Sequence, residues 1–361
     1  MRFISLLAVF VFAGATFAQG ILIDHTCADL EDIPSIWITA VQNTIQSHYA
    51  HTSHGGQLTY GVEFIEDANP FYDCEVGYLT LPTDSGAYCV FDGQETTGYV
   101  GPEDYWQTAS GLNLTRDVLD NNPTLDTSMW SWCTQCNSYS EAQVQAYLDA
   151  MTLLEGEYPD VTFIYLTGNA QGTGSSGYNR FQRNNQIRDY CAVNDKVLFD
   201  FADLDCWWYN PSSLQWEHNT YSYSGTNVPS EHPQYYGDEY GHTTAASCTI
   251  KGKAWWWMMA VLAGWNSTGI EMEGADPGIS FSVSMENPVT SPFTVSVATS
   301  VQSQISLNIY DVAGRHTAEI ASGSFQSGEH TFLVDGLTAG VYFIVASDGS
   351  SIFSERAVVI N

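Results

Sequence analysis

The chain has 361 residues, with 41 Asp+Glu against 10 Lys+Arg and a formal net charge of −31. That balance argues against binding DNA, RNA or anionic membranes, because an acidic surface repels phosphates at long range. Tyr and Trp number 21 and 11, so many aromatic rings must pack inside; others are expected to line a groove suited to neutral sugars.

At the start, Arg2 is followed by an apolar run at 4–12 and the small residues Ala13-Gly14-Ala15-Thr16-Phe17-Ala18. This order predicts a signal peptide over residues 1–18. No later apolar run reaches the roughly 18 residues of a membrane span, and 255–265 is too short. The expectation is an exported, soluble protein. Its eight cysteines, Cys27, Cys74, Cys89, Cys133, Cys136, Cys191, Cys206 and Cys248, all precede residue 250. In an exported chain they predict disulfides. Cys133-Thr134-Gln135-Cys136 has the spacing of a redox pair or half a zinc site, but no second CxxC accompanies it, so it is read as a structural bridge.

Residues 46–52 read as a short strand. Leu58, Val62 and Ile65 then repeat as on an amphipathic helix. Between them lies His51-Thr52-Ser53-His54-Gly55-Gly56. A serine at a strand-to-helix turn exposes its hydroxyl beside backbone N–H groups that can hold an oxyanion. Gly55 and Gly56 would let a substrate approach closely. The same serine would equally serve as an ordinary helix cap.

Farther on, 141–154 reads as helix, and 161–166 as a buried strand ending in Thr167-Gly168-Asn169. Residues 184–190 read as helix and 196–202 as the next strand. Such alternation predicts a parallel sheet in an α/β domain. Its site would lie at the carboxyl ends of the strands, where Ser53, Asn169 and the loop after Ala202 would gather. Near the end come Gly237-Asp238-Glu239-Tyr240-Gly241-His242 and a helix over 251–264 that carries Trp255-Trp256-Trp257. A carboxylate three residues before a histidine can fix its tautomer and make it a general base. His48, His51, His54 and His242 could instead hold a metal, but residues three apart on a strand face opposite sides.

Taken in order over roughly residues 45–265, these motifs resemble the SGNH (GDSL-like) hydrolase superfamily. The resemblance implies a three-layer SGNH/flavodoxin-like α/β domain over 19–265. In it Ser53 is the nucleophile and His242 the base, with Glu239 or its neighbour Asp238 orienting the imidazole. Gly111 and Asn169 complete the oxyanion hole, and His51 and His54 line the substrate site. Such a mechanism calls for no cofactor and no metal, and secretion with aromatic richness favours an acylated polysaccharide, most simply an acetyl ester, as substrate. His51-Thr52-Ser53 stands in place of Gly-Asp-Ser, and Thr167-Gly168-Asn169-Ala170 in place of Gly-x-Asn-Asp. A non-catalytic glycan-binding protein on the same fold, a His-ligated metallohydrolase and a lyase are the alternatives.

Residues 266–278, rich in Gly, Asp and Glu with Pro277, read as a linker. From 279 to 361 the pattern changes to alternation, as in Phe281/Val283/Met285, Phe293/Val295/Val297 and Ile305/Leu307/Ile309. Turn signals separate these runs, which predicts a small Ig-like β-sandwich. Asn287-Pro288, Tyr310-Asp311-Val312-Ala313-Gly314-Arg315, Gly328-Glu329-His330, Leu337-Thr338-Ala339-Gly340-Val341-Tyr342-Phe343 and the terminal Ala357-Val358-Val359-Ile360 resemble the C-terminal sorting domain of type IX secretion substrates. That resemblance implies a Gram-negative, Bacteroidetes-like cell, handling by the type IX machinery, and a destination at or beyond the outer membrane surface.

Overall fold

A computed structural model describes residues 20–265 and, beyond them, 281–285, 288–299, 303–311, 315–326, 328–347 and 352–360. The expected signal peptide and linker lie outside the described residues. Seven strands, β1 (Ile21–Ile23), β2 (Gln46–His51), β3 (Cys74–Tyr78), β4 (Tyr88–Asp92), β5 (Thr127–Ser131), β6 (Thr162–Leu166) and β7 (Val197–Phe199), form one sheet in the order β1-β7-β6-β5-β2-β4-β3. Every pairing in it is parallel. The helices are α1 (Ser35–Thr44), α2 (Gly56–Ala68), α3 (Pro102–Tyr105), α4 (Ala109–Asn121), α5 (Glu141–Glu157), α6 (Gly174–Val193), α7 (Phe201–Cys206) and α8 (Ala245–Leu262). α1, α2 and α7 pack with α8, whereas α3 packs with α4 and α5 with α6.

Strand β2 shows how a polar sequence can be central. Its Ser47, His48, Tyr49 and Ala50 are all wholly buried. Ser47 and Tyr49 face α8, the first against Met259 and the second against Trp255. His48 faces the other way, stacked on Tyr105. The buried polar atoms are satisfied: Ser47 Oγ bonds Tyr88 and Thr127 hydroxyls, and His48 bonds Ser128 Oγ and the Gly93 carbonyl, as burial demands. The Trp255-Trp256-Trp257 run is core rather than groove, each ring at most 8% exposed. A helix apolar on all sides is a buried helix, and α8 is held between α2 and the sheet.

Helices α2 and α8 meet at two glycines. A Cβ on Gly61 would lie 2.2 Å from the Cys248 carbonyl oxygen, and one on Gly252 would lie 2.4 Å from the Gly61 carbonyl carbon. Only glycine permits backbone contact this close.

Two sequence expectations need correction here. The strand expected over 196–202 ends at Phe199, because the Asp200 side chain accepts the Asp203 N–H and caps α7. The disulfides are absent: all eight cysteines are free, seven of them buried. Cys74 lies opposite Tyr88, and Cys89 opposite Glu75, so these two point to opposite faces of the sheet. Cys136 packs against Gly168 while the Cys133 sulfur faces His54.

Between α7 and α8 come two antiparallel hairpins, β8 (Trp207–Asn210) with β9 (Gln215–His218) and β10 (Thr220–Tyr223) with β11 (Thr226–Pro229). The tail is all β: β12 (Phe281–Met285), β13 (Val289–Thr290), β14 (Phe293–Thr299), β15 (Ser303–Asp311), β16 (His316–Phe325), β17 (Gly328–Val334), β18 (Gly340–Ser347) and β19 (Ile352–Ile360). They make sheets β12-β14-β17 and β13-β19-β18-β15-β16. Val295, Val297, Ile305, Leu307 and Ile309 alternate inward into a core of their own, as their spacing predicts; Phe281 and Val283 lie where side chains are not described. Among the described residues no helix is long and apolar enough to cross a membrane.

Candidate functional site

The chain leaves β2 for β3 at the sheet edge, returns through β4 between them, then crosses to β5 on the other side of β2. A parallel sheet opens a crevice beyond the carboxyl ends of the strands where the winding reverses. Here that point lies between β2 and β5. Ser53 and His54 follow β2 directly, Cys133 follows β5, and 167–171 follow β6.

Side chains from these turns converge on one sulfur. Cys133 Sγ is 3.1 Å from His54 Nδ1 and 3.4 Å from Ser53 Oγ. Burial pushes the thiol up, but the hydrogen bonds from His54 and Ser53 and the charge of His54 outweigh it, leaving Cys133 lowered to about 6. For His54, burial works against the charge, yet the bonds to Cys133 and Gln171 prevail and the imidazole lies above its ordinary range. The two shifts agree on a thiolate–imidazolium pair. The other cysteines that shift are pushed upward, mainly by burial.

The histidine is held by an amide. Gln171 Oε1 lies 2.9 Å from His54 Nε2. The Gln171 Nε2 group donates to Glu231 Oε1 at 3.1 Å and to the His242 carbonyl. With both amide hydrogens engaged, the oxygen must face the imidazole, so Nε2 carries a proton and Nδ1 addresses the sulfur. Asn169 steadies the turns: its Nδ2 donates to the Cys133 carbonyl at 2.6 Å and its Oδ1 accepts the Gln171 N–H at 2.9 Å. The Cys133 N–H is taken by Gln135 Oε1 at 2.7 Å.

Glycine again sets the local geometry. A Cβ on Gly55 would lie 2.2 Å from His51 Cβ, and one on Gly241 2.7 Å from the Ser53 carbonyl, where φ is also +58°. Gly241 therefore brings the 237–244 loop against the Ser53 turn, reinforced by Gln57 Nε2 donating to the Gly241 carbonyl at 2.6 Å. His242 has a left-handed backbone, φ +70°. Such strain in a non-glycine residue persists only where its surroundings enforce it.

The expected site residues divide as follows. Ser53, His54, Asn169 and His242 come together, the His54 and His242 rings 4.8 Å apart. Asp238 rather than Glu239 orients His242, with Oδ1 2.8 Å from Nδ1; Glu239 accepts the Asp238 N–H instead. The Gly111 N–H is spent on Thr108 Oγ1 in the cap of α4. His51 turns toward Asp92, 3.0 Å away, and stacks on Tyr49. His48 and His51 thus face opposite sides of β2, as strand alternation demands, while His54 lies past the strand end, in the turn that follows. Among the described residues, Asp24, His25 and Asp203 are close enough to share an ion, and His25 there is already bound to Asp203 at 2.6 Å.

Cys133, Gln171 and Glu231 were missed in the sequence. The signal for Cys133 was the buried run at 127–132, a strand with a cysteine at its carboxyl end like Ser53 after β2; its CxxC spacing pointed elsewhere.

Residues 287–361 match the family described as the secretion system C-terminal sorting domain. This tail sends the chain through the type IX system to the cell surface or extracellular space of a Bacteroidetes bacterium. No curated protein matches the chain. Among solved structures it is similar to domains 4 and 5 of the S-layer protein SbsC, at 15% identity and TM-score 0.18, over 23% of this chain and 52% of that one. An engineered protein follows at 10% identity and TM-score 0.23, over 86% of this chain and 60% of that one. A Cellulomonas fimi endo-beta-1,4-mannanase double mutant has 11% identity and TM-score 0.21, over 68% of this chain and 51% of that one. The chain thus spans about half the length of the first and third of these and 60% of the second. Scores this low carry no argument about fold or activity, and the SGNH resemblance of the N-terminal domain gains no support from them.

Proposed function

We propose that this type IX cargo is a hydrolase that works by acyl transfer, with the Cys133 thiolate as nucleophile and His54 as its acid–base partner. One observation carries the reading: a half-buried thiol at the carboxyl end of β5 lies 3.1 Å from an imidazole, and its titration is drawn down to about 6. A thiolate beside an imidazolium, with a third group orienting the base, is the arrangement that activates cysteine. Cys133 Sγ attacks the carbonyl carbon of an ester or amide, and the carbonyl electron pair moves onto oxygen. As the carbonyl re-forms, the bond to the leaving group breaks and the imidazolium protonates that group. Neutral His54 then takes a proton from water, which attacks the thioester and restores the thiolate. The oxyanion would sit at the start of the Ser53–Gly55 turn, whose first N–H groups have no acceptor within the turn and whose N-cap Thr52 makes no side-chain capping bond. The Ser53 hydroxyl, 3.4 Å from the sulfur, supports the thiolate by a hydrogen bond.

A second reading keeps Ser53 as nucleophile and His242 as base, in an SGNH-type esterase acting on an acylated polysaccharide. Its support is the Asp238-oriented imidazole of His242 beside the Ser53 turn. Hydrolysis of p-nitrophenyl acetate by wild type, Cys133→Ala, His54→Ala, Ser53→Ala and His242→Ala, with and without chelator, separates the two. Loss on Cys133→Ala and His54→Ala with residual activity in Ser53→Ala supports the thiol. The reverse pattern returns the role to Ser53, and a silent wild type on a broad ester panel favours glycan binding.

A further inference from the structure

Behind the thiol lies a buried charged cluster that the acyl-transfer chemistry does not use directly. Lys251 Nζ and Asp205 Oδ1 are 2.7 Å apart, with side chains 0% and 1% exposed. Lys251 also donates to Ser247 Oγ at 2.6 Å and lies over the Phe201 ring. Asp205 Oδ2 accepts the Ala170 N–H at 2.8 Å. Glu231, 6% exposed, stands between this pair and the site. Its Oε1 accepts from Gln171 Nε2 at 3.1 Å and from Thr243 Oγ1 at 3.3 Å. Gln171 in turn bonds His54.

Resting on the thiol reading above, we infer that Glu231 is a positioning residue that sets the strength of the His54–Cys133 pair through the Gln171 amide. The groups facing it are Asp205 from α7, Lys251 from α8, Gln171 from the β6 turn and Thr243 from the loop before α8. Arg180 from α6 holds the neighbouring turns, donating to the Gln171, Gly172 and Pro229 carbonyls. Lys251 is already engaged by Asp205 and the Arg180 guanidinium is bonded to backbone carbonyls, so an ionised Glu231 adds a negative charge that neither cation pairs directly. When Glu231 is ionised, that extra negative charge lies one amide away from His54, polarises the Gln171 N–H and strengthens its oxygen as an acceptor for the imidazolium. When Glu231 is protonated, the charge is gone and the amide is a weaker partner. Burial and the Asp205 charge push Glu231 up, against Gln171, Lys251 and Thr243, to about 7, so this change falls at neutral pH. The same Gln171 amide binds the His242 carbonyl, which ties the 237–244 loop to the pair.

The test uses the full chain with isotope-labelled histidine. The His54 imidazolium is titrated by NMR in wild type, Glu231→Gln and Glu231→Asp, with His54→Gln to assign the signal. Glu231→Gln keeps shape and hydrogen bonding but not charge, and its His54 should lose its proton at lower pH than wild type. The alkaline limb of ester hydrolysis should move in the same direction. Glu231→Asp keeps the charge but withdraws it by one methylene; it gives an intermediate shift and serves should Glu231→Gln not fold. Superimposable His54 titrations in wild type and folded variants overturn the inference. Full activity in Cys133→Ala would instead overturn the thiol reading, and leaves the His54 titration as a separate result.

Discussion

His54 Nδ1 and Cys133 Sγ lie 3.1 Å apart although 79 residues separate them in the chain. One follows β2 and the other β5, adjacent parallel strands, so the sheet rather than local sequence makes the pair. Its reactivity should therefore depend on both partners. Iodoacetamide should label Cys133 selectively, with a midpoint near the value of about 6, while the buried cysteines stay silent in the folded state. His54→Ala should slow labelling at neutral pH by about tenfold or more, because an unassisted thiol is mostly protonated there. Peptide mapping by mass spectrometry across a pH series checks this.

Catalysis should divide unevenly between the two hydroxyl- and thiol-bearing turns. Cys133→Ala should reduce turnover by about a thousandfold or more, the usual scale for loss of a nucleophile. Ser53→Ala should cost about tenfold, the worth of one hydrogen bond to the thiolate. Steady-state kinetics on a chromogenic ester decides, and equal collapse of both variants would contradict the assignment.

The Lys251–Asp205 pair should matter to folding more than its surface counterparts. Lys251→Met leaves a carboxylate buried without its cation, a loss of about 3–5 kcal/mol. The exposed Arg116–Glu157 pair should contribute about 1 kcal/mol or less. Urea unfolding of Lys251→Met and Arg116→Met gives the contrast.

Gly61→Ala should push α2 from α8, since the added methyl would lie 2.2 Å from a backbone oxygen. Overpacking of this kind costs about 1–3 kcal/mol. α2 begins just after His54 and α8 just after His242, so activity should fall with stability. Measuring both on one protein sample shows whether the glycine contact also spaces the site.

Stability should carry a Glu231 signature. Its folded-state titration is raised to about 7 from 4.5, so the protonated form is favoured in the fold. The contribution is complete below the ordinary glutamate value and is lost as pH rises through about 7. Glu231→Gln should flatten that decline, as thermal unfolding followed from pH 4 to pH 8 would reveal.

The frame of the N-terminal domain was legible because its signals are local. The run at 161–166 became β6, the helix read at 141–154 is α5, and the Ser53 turn stands at the carboxyl edge as its strand-to-helix character predicts. Strand β7 was overextended because Phe201 and Ala202 look like strand continuation, while the capping bond of Asp200 is decided by geometry. In the tail, the alternation read at 281–285, 293–297 and 305–309 became β12, β14 and β15, since a buried face repeats every second residue; the remaining tail strands were not read one by one. Cys133 stayed hidden because nothing near it in the sequence lowers its titration; only the pairing of β2 with β5 brings His54 beside it. Gln171 and Glu231 were hidden for a related reason: amides and acids are common, and only their pairing in space distinguishes these two.

The free, buried cysteines have a consequence for handling the protein. No disulfide restrains the denatured chain, so non-covalent interactions alone offset its conformational entropy, and each unfolding event releases thiols that air can join at random. Heating without reductant should therefore end in crosslinked aggregates and a scan-rate-dependent transition. The same scan with reductant should be more nearly reversible, so the redox state of the buffer, rather than the fold itself, would set the shelf life of the sample.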